Sequence, residues 1–464
     1  MQPSLFLQNL PEIAGGEWLY NAHAHGEQIV IRGVFDDSRC VTAGSLFVAI
    51  IGELTDGHRY IESAVERGAV AVIVQSAPSD AQLAAMREAH CNCLRVADSL
   101  AAYQRIASWY RQQFTGLCVV AITGSCGKTS TKEMIAAIAE KHFPGGVLKT
   151  IGSTNNHFGV PRNLLRIDDT TRVAIIELGT NHPGEIAGLA KLVRPDIGAV
   201  SNIGHAHLEF FHDLHGVAEE KGELLNNTKA DGIVIYSHDA ASAEVLERKA
   251  GVRRSITFGT SDKNDITYRY IGPDGDKFAL ELQWQGGAPQ RVLWQIGGAH
   301  MASNAAAAAA VATALGCTQE EIIAGLAECV LPGQRLEKRV IDGAVWINDA
   351  FNANPDSMRA AIDYFAQNAP AAEPQFLVLG DMLELGECSA QAHRDILAYA
   401  QQKCPQAQIW TLGALMAQAA EGNAAIRVFT DKETLREALK MQVKAGSWLL
   451  LKSSHSIGLA TLTA

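Results

Sequence analysis

The sequence predicts an α/β protein of three domains, with a central phosphate-loop (P-loop) domain on a parallel sheet and a C-terminal Rossmann-like, doubly wound domain. Three observations lead to this class. The chain has 464 residues, a length that favours about three domains of ordinary size. Short apolar runs alternate with helical patterns, which is typical of parallel sheets covered by helices. A glycine-rich loop lies between one such run and a helix.

The domain boundaries follow changes in these patterns. Residues 1–96 form a strand-rich first domain, with strands predicted at 28–33, 45–51 and 69–75. Residues 97–330 form the central domain, with helices predicted at 99–113, 131–141 and 300–315, strands at 118–122, 173–178, 197–203 and 232–236, and an antiparallel region at 266–295. Residues 331–464 form the third domain, with strands predicted at 345–348, 376–380, 409–412 and 448–452.

Composition excludes several classes of function. A formal net charge of −11 argues against a nucleic-acid-binding surface. The nine cysteines have no paired metal-ligand spacing, so we expect reduced thiols. No segment approaches the roughly 20 apolar residues that a membrane span needs, and no secretory signal is evident. We therefore expect a cytoplasmic, soluble protein that binds no nucleic acid and has no membrane span.

The glycine-rich loop indicates triphosphate chemistry. Its glycines let backbone N–H groups and the start of a helix face one anion, while the lysine adds a charge and the threonine a hydroxyl for Mg²⁺. Ile122 stands where the common pattern has its first glycine, so this is a shorter G-x-x-G-K-T form. The alternative is a chance Gly-Lys-Thr sequence in a surface turn. The predicted nucleotide-binding residues of the loop are Gly124, Ser125, Cys126, Gly127, Lys128, Thr129 and Ser130.

Two further candidates lie where predicted parallel strands end. Glu177 closes an apolar strand at the sheet edge where a Mg²⁺ ligand is needed, although acidic residues end many strands. His205 follows the next strand and is expected at the same edge, although a lone histidine more often has a structural role. His207 is assigned such a structural role. The Glu177 carboxylate and the His205 imidazole are therefore candidate metal ligands at this edge of the sheet.

The order of these motifs resembles the Mur ligases, ATP-dependent enzymes that form amide bonds in peptidoglycan assembly. The resemblance covers essentially the whole chain and rests on residues 123–130, 177–179, 202–209, 218–223, 300–307, 332–335 and 348–357. The segments similar to the family member that adds D-alanyl-D-alanine to UDP-N-acetylmuramoyl-tripeptide are 37–39, 44–49, 56–58, 155–161 and 379–386. The resemblance implies that ATP activates the tripeptide carboxylate as an acyl phosphate, which the dipeptide amine then attacks. We expect a monomer.

The resemblance implies roles around ATP and two Mg²⁺ ions. Thr129 and Glu177 would hold one Mg²⁺, and Glu177 and His205 would help to place the second. Lys221 would be carbamylated by CO₂ and so become a metal ligand. Composition alone predicts that Lys221 is solvated, because Glu219, Glu220 and Glu223 are its neighbours in the sequence. The implied catalytic residues are Lys128, His205, Lys221 and Arg335.

The remaining implied contacts concern nucleotide and substrate. Asn304 would contact adenine, Arg335 the γ-phosphate and Asp349 the ribose. The residues implied for substrate binding are Ser38 and Arg39 for the UDP-sugar, Asn156 for the metal-bound substrate, and Asn352, Asn354 and Ser357 for the dipeptide amine or the nucleotide. The family usually ends its last strand with Lys-Gly-Ser-Arg, whereas residues 452–455 read KSSH, so the resemblance assigns no role to His455.

Two alternatives stay open at this point. The chain could be another amide ligase of the superfamily, either a Mur enzyme that adds single amino acids or a folylpolyglutamate-type ligase. A nucleotide-dependent switch or binding protein is the alternative outside enzyme chemistry, and it predicts nucleotide binding or hydrolysis that is insensitive to an amine substrate.

Overall fold

The structure is a computed structural model, and it describes residues 4–23 and 28–463. Within these residues the chain forms the following strands: β1 (Leu5–Phe6), β2 (Gly16–Tyr20), β3 (Val30–Ile31), β4 (Val34–Phe35), β5 (Leu46–Val48), β6 (Ala71–Val74), β7 (Asn92–Val96), β8 (Cys118–Thr123), β9 (Val147–Lys149), β10 (Val173–Glu177), β11 (Ile197–Val200), β12 (Ile233–Tyr236), β13 (Arg254–Gly259), β14 (Ile266–Asp274), β15 (Lys277–Trp284), β16 (Gln290–Trp294), β17 (Glu337–Ile341), β18 (Ala344–Asn348), β19 (Gln375–Gly380), β20 (Gln408–Leu412), β21 (Ile426–Phe429) and β22 (Trp448–Lys452).

The α-helices of the described residues alternate with these strands. They are α1 (Leu10–Ala14), α2 (Ile61–Glu66), α3 (Asp80–Glu88), α4 (Ser99–Gln112), α5 (Lys128–His142), α6 (Gly159–Leu164), α7 (Glu185–Val193), α8 (Leu208–Phe211), α9 (Leu214–Asn226), α10 (Ala243–Ala250), α11 (Ala299–Ala314), α12 (Gln319–Glu328), α13 (Pro355–Asn368), α14 (Ser389–Lys403), α15 (Ala414–Ala419) and α16 (Lys432–Gln442). No helix in the described part of the chain is both long and apolar enough to cross a membrane.

The chain divides into two compact units. Unit 1 comprises Met1–Val119, Gly145–Leu178 and Gly188–Arg194. Its main sheet has the order β2-β7-β6-β5-β4, in which only the β2–β7 pair is antiparallel. All four residues of β6 are buried, as expected for a parallel strand covered on both faces. Unit 1 also contains the parallel pair β9–β10, which ends at Glu177.

Unit 2 comprises Val120–Pro144, Gly179–Ala187 and Pro195–Ala464. Strands β8, β11, β12 and β13 pair in parallel, and Thr123 at the end of β8 is level with Val200 at the end of β11. The loops after these two strands therefore leave the sheet at one edge. Strands β14, β15 and β16 continue as the predicted antiparallel region.

Helix α5, which follows the glycine-rich loop, packs against two helices at short range. Residues 305–310 of α11 are all alanine and at most 1% exposed, so the helices contact each other without large side chains between them. Gly325 of α12 lies so close to α5 that an added Cβ would be 2.5 Å from Cα of Ile138. The helix predicted at 300–315 is confirmed as α11, and its close packing fixes the direction of α5.

The last part of unit 2 contains a six-stranded sheet in the order β17-β18-β22-β19-β20-β21, parallel except for β17. Separate apolar clusters cover its two faces, one that includes Leu377 and Leu450 and one that includes Val378 and Leu449. The predicted doubly wound sheet is confirmed. Asn348 at the end of β18 is level with Leu451, so residues 349 and 452 emerge side by side.

The α/β class, the phosphate-loop parallel sheet and the C-terminal doubly wound sheet are confirmed. The strand predicted at 197–203 is shorter, because β11 ends at Val200 and the polar residues that follow contact the glycine-rich loop. The strands that were not among those predicted are β1, β2, β4, β7, β9, β13, β17 and β21. The boundaries at 96/97 and 330/331 remain a proposal.

Candidate active site

The glycine-rich loop joins β8 to α5, as predicted. Gly127 precedes the first residue of α5 with φ of 73°, a conformation that favours glycine. A Cβ at this position would lie 2.3 Å from Oδ1 of Asn304, and a Cβ at Gly124 would lie 2.0 Å from Oγ of Ser201. The neighbouring side chains therefore leave no room for a Cβ at either glycine. Lys128 is the first residue of α5, so the loop leads directly into the N-terminus of this helix.

A Gly127→Ala substitution tests this packing. We expect the positive φ and the collision with Asn304 to lower the free energy of unfolding by about 1–2 kcal/mol. ATP binding should weaken about tenfold or more, because the loop must shift away from its position. Calorimetric titration with ATP and urea denaturation measure the two effects.

The control is Gly422→Ala, because Gly422 has nearly the same φ of 77° and nothing lies within 4 Å of its added Cβ. Gly422→Ala should lower the free energy of unfolding through the positive φ alone, and its ATP affinity should be unchanged. Equal loss of ATP affinity in both variants would contradict the role of the Asn304 contact.

The segment after β11 holds the loop in place. The backbone N–H of Cys126 donates to Oδ1 of Asn202 at 2.9 Å, and the N–H of Ser125 donates to the Asn202 carbonyl. Oγ of Ser201 donates to the Cys126 carbonyl at 3.0 Å, and Oγ of Ser125 bonds both backbone groups of Gly204. The sequence assigned no role to Asn202, although its place directly after a parallel strand is the signal that applied to Glu177 and His205.

Lys221 lies on α9 and is buried, with 1% of its surface exposed. Its Nζ has no hydrogen-bond partner among the described residues. Burial, together with the nearby Lys128 ammonium, lowers the pKa of Lys221 to about 7. The expectation from composition that this lysine is solvated is wrong, because Glu219 and Glu223 face Arg248 and Lys249 of α10.

The buried face of α9 also includes Glu220, which is 6% exposed. Its carboxylate accepts hydrogen bonds from the backbone N–H of Gly184 at 2.7 Å and of Ile186 at 2.8 Å, and Oγ1 of Thr180 lies 3.4 Å away. Glu220 thus fixes residues 179–187, the segment that begins two residues after Glu177. One turn of α9 therefore carries both an anchoring carboxylate and the amine of Lys221, which no described residue hydrogen-bonds.

The pKa of Lys221 makes stability depend on pH. Between about pH 7 and the ordinary lysine value near 10.5, the unfolded chain holds a proton that the folded chain lacks. The free energy of unfolding contributed by this group therefore rises with pH through that window and is lost as pH falls through 7. We expect the parent chain to gain stability relative to Lys221→Met between pH 7 and 10.

Urea denaturation of the parent and of Lys221→Met, in buffer free of bicarbonate so that the amine stays unmodified, measures this difference. The buried Met should make the variant the more stable protein at pH 7. A stability difference that does not change with pH would contradict the lowered pKa.

His205 follows β11, and it contacts the beginning of α13. Its backbone N–H donates to Oδ2 of Asp356 at 2.7 Å, and its Nδ1 lies 3.1 Å from Oδ1 of the same carboxylate. Nδ1 of His207 lies 2.6 Å from a carboxylate oxygen of Glu384, which lowers the pKa of Glu384. The structural role predicted for His207 agrees with this contact.

The first turn of α13 brings Asn354 and Ser357 to the glycine-rich loop. The two residues form a capping box, in which each side chain accepts a hydrogen bond from the backbone N–H of the other. The Asn354 amide also bonds Sγ of Cys126, with Nδ2 at 2.9 Å. Both side chains therefore stabilise the turn itself, and their contacts to substrate remain predictions.

Asp349 and Asn352 lie on the loop after β18, where Lys452 holds them. Nζ of Lys452 is 2.6 Å from Oδ2 of Asp349 and donates to the carbonyls of Asp349 and Asn352. Oδ1 of Asp349 accepts from the backbone N–H of Leu336, next to Arg335. The guanidinium carbon of Arg335 lies 4.0 Å from the centre of the Phe351 ring. The centres of the Phe351 and His455 rings are 5.8 Å apart.

The remaining predicted residues belong to unit 1. Glu177 is 1% exposed and accepts a hydrogen bond from Nδ2 of Asn155 at 2.8 Å. Asn156 instead accepts from the backbone N–H groups of Phe158 and Gly159 at the start of α6. Asn155, the residue before the predicted Asn156, is therefore the one that contacts the Glu177 carboxylate.

Ser38 and Arg39 lie in a 3₁₀ turn, Ser38–Cys40, that Asp37 caps. Ser38 is buried, whereas the Arg39 side chain is 83% exposed and pairs with Asp37 at 2.7 Å. The hydrogen bond from Arg39 lowers the pKa of Asp37 to about 2. The Arg39 guanidinium is therefore exposed to solvent, and its contact to the UDP-sugar remains a prediction.

Unit 2 thus carries a glycine-rich loop between a parallel strand and a helix. The half-buried Lys128 of this loop and the buried Lys221 are two cationic groups of this unit. These features define a nucleotide-binding protein of the phosphate-loop class. The chain belongs to the Mur ligase family. Sequence profiles described as the Mur ligase family catalytic domain, the Mur ligase middle domain and the Mur ligase glutamate ligase domain match residues 30–111, 122–312 and 334–455.

Curated and structural relatives agree with this assignment. The UDP-N-acetylmuramoyl-tripeptide–D-alanyl-D-alanine ligase of Bacillus subtilis is 34% identical over 98% of this chain and 96% of its own. The structure of MurF from Acinetobacter baumannii is 30% identical with a TM-score of 0.88, covering 100% of this chain and 98% of the other. MurF from Thermotoga maritima in complex with ADP is 25% identical with a TM-score of 0.81, over 93% and 96%. The chain is an ATP-dependent ligase.

Proposed function

We propose that this chain joins D-alanyl-D-alanine to UDP-N-acetylmuramoyl-tripeptide in an ATP-dependent reaction that forms an amide bond. The observation that carries the proposal is the likeness to ligases of that name over nearly the whole chain. As part of it we expect the chain to act as a monomer in the cytoplasm, where ATP and a nucleotide-linked substrate are available.

The reaction has two steps. The tripeptide carboxylate attacks the γ-phosphorus of ATP, so that a carboxyl oxygen–phosphorus bond forms and ADP leaves. The dipeptide amine then attacks the acyl carbonyl, the carbon–oxygen bond to phosphate breaks, and the amine loses a proton. Both steps concentrate negative charge, which fixed cations and backbone N–H groups must stabilise.

The phosphate loop is suited to the first step. The N–H groups at the start of α5 face the loop, and Lys128, which donates to the Gly124 carbonyl at 2.7 Å, is placed to bind phosphate oxygens. Arg335 would bind the γ-phosphate, and Asn304 and Asp349 would bind adenine and ribose. These assignments, and those of Ser38, Arg39, Asn156, Asn352, Asn354 and Ser357 to the substrates, remain predictions.

The hydroxyl of Thr129 in unit 2 is a hard oxygen donor of the kind that Mg²⁺ prefers, and so is the carboxylate of Glu177 in unit 1. Bound Mg²⁺ supplies positive charge for the β- and γ-phosphates. The pairing of Glu177 with Thr129 at one ion, and the use of Glu177 and His205 at a second, remain predictions from the family resemblance.

A carbamate on Lys221 is part of the proposal. The neutral amine attacks CO₂, a nitrogen–carbon bond forms, and the amine proton leaves to solvent. A pKa of about 7 keeps a large fraction of the amine in the reactive neutral form near neutral pH. The product is a carboxylate beside the Lys128 ammonium, an opposite-charge pair in place of the like charges that the protonated lysine would give. In the part of the chain that the structure describes, Nζ has no hydrogen-bond partner, and this supports the assignment.

Phosphate release with ATP, Mg²⁺ and UDP-N-acetylmuramoyl-tripeptide, measured with and without D-alanyl-D-alanine, tests the proposal. We expect release that depends on the dipeptide and an amide product identified by mass spectrometry. Lys128→Ala should abolish both. Phosphate release that does not depend on the dipeptide would instead support the nucleotide-dependent switch. Phosphate release with glutamate or diaminopimelate alone would support another amide ligase.

A further inference from the structure

We propose that Asp356 is a positioning residue that fixes the ring of His205, so that Nδ1 carries the proton and Nε2 is left as the ligand atom. This inference rests on the proposed function for the identity of the ligand, a metal ion. Its geometry is independent of that function. Asp356 was not among the residues that the sequence analysis assigned a role.

The carboxylate of Asp356 lies directly against the Gly204–His205 peptide. Oδ2 accepts the backbone N–H of His205 at 2.7 Å and is 3.2 Å from Nδ1 of the ring, while Oδ1 is 3.1 Å from the same Nδ1. A Cβ on Gly204 would be 2.5 Å from Oδ2, so only glycine at position 204 permits this approach. One carboxylate therefore contacts both the backbone and the ring of His205.

These contacts determine the tautomer. An ionised carboxylate accepts hydrogen bonds and donates none, so the ring nitrogen beside it must be the N–H donor. With the proton on Nδ1, the lone pair of a neutral imidazole is on Nε2, which faces away from Asp356. A carboxylate partner also makes the ligand nitrogen more basic and holds the ring plane, as is common for histidines that bind metals.

The turn that supplies Asp356 is itself fixed. Asn354 and Ser357 close a capping box at the start of α13, and Asn354 bonds Cys126 of the phosphate loop. The same turn therefore holds the loop through residue 354 and the metal-site histidine through residue 356. This arrangement sets the ring of His205 relative to the phosphate loop within unit 2.

The test reads the tautomer directly, without catalysis. Nitrogen chemical shifts of ¹⁵N-histidine-labelled protein at pH 8.5, where an ordinary histidine is neutral, distinguish a protonated Nδ1 from a protonated Nε2. The loss of signals in His205→Gln assigns them. We expect an Nδ1-protonated ring in the parent and a shift toward the Nε2-protonated form in Asp356→Ala.

Asp356→Asn covers the case in which Asp356→Ala does not fold, because the amide keeps the shape and one acceptor but not the charge. Glu320→Ala, which removes an exposed acid from the first turn of α12, should leave the His205 signals unchanged. An unchanged tautomer in both Asp356 variants would overturn the proposal, and so would an Nε2-protonated ring in the parent.

A second readout concerns the metal. Calorimetric titration of Mg²⁺ into the complex with a non-hydrolysable ATP analogue should show about tenfold or more weaker binding in Asp356→Ala than in Glu320→Ala. Equal Mg²⁺ affinity would overturn the link to the metal. Because neither measurement uses D-alanyl-D-alanine, failure of this proposal is distinguishable from failure of the proposed ligase activity.

Discussion

Replacement of Lys221 by Met is expected to lower turnover about 1000-fold or more, the upper range for loss of one preorganised electrostatic group. Met fills the same buried space on α9 but has no amine for CO₂. The phosphate loop contacts Asn202, Asn304 and Asn354 and does not depend on Nζ of Lys221 for any hydrogen bond. ATP affinity should therefore change far less than turnover.

The measurement is the rate of dipeptide-dependent phosphate release. Depletion of CO₂ should also slow the parent enzyme, and added bicarbonate should restore it, whereas the variant should not respond. Lys249→Met is the matched control, since Lys249 lies on α10 and pairs with Glu219 and Glu223. Full activity of Lys221→Met would contradict the carbamate and any catalytic role for this lysine.

Replacement of Lys452 by Met should lower the free energy of unfolding by about 3 kcal/mol, because it leaves the partly buried Asp349 carboxylate without its cation. The side chains of Lys452 and Asp349 are only 3% and 15% exposed, and their charged atoms are 2.6 Å apart. The carbonyls of Asp349 and Asn352 also lose a donor. We therefore expect a looser loop and a higher KM for ATP as well.

Urea denaturation and steady-state kinetics measure these two effects. Lys403→Met provides the comparison, because Lys403 is 44% exposed and lies 3.5 Å from Asp363. Such a surface pair typically contributes less than about 1 kcal/mol. If Lys452→Met is no less stable than Lys403→Met, the buried pair does not hold the loop after β18.

Much of this site could be predicted from strand ends. Parallel strands bring the residues that follow them to one sheet edge, and this rule correctly placed the phosphate loop and His205 after neighbouring strands. Glycine spacing predicted the loop itself because the backbone requires it. Asn202 follows the same rule and was missed only because an amide has less distinctive chemistry than a carboxylate or imidazole.

Other features depend on tertiary contacts that no local pattern encodes. Glu220 and Lys221 look like part of a solvated acidic helix, yet Glu220 accepts bonds from a segment about 35 residues earlier in the chain. Asp356 accepts a hydrogen bond from His205, although the two residues are 151 positions apart in the chain. Strand β17 reads EKRVI and is largely exposed at a sheet edge, so it lacks the apolar run by which its neighbours were predicted.

The division of the chain into units has a consequence for how the protein can be dissected. The polypeptide passes from one unit to the other at residues 119/120, 144/145, 178/179, 187/188 and 194/195. No single truncation point before residue 195 therefore yields an intact unit 1, and none yields unit 2 without the segments interleaved with it. Expression of isolated fragments should give incomplete sheets. Point substitutions in the full chain are thus the appropriate way to assign roles to residues in the first 200 positions.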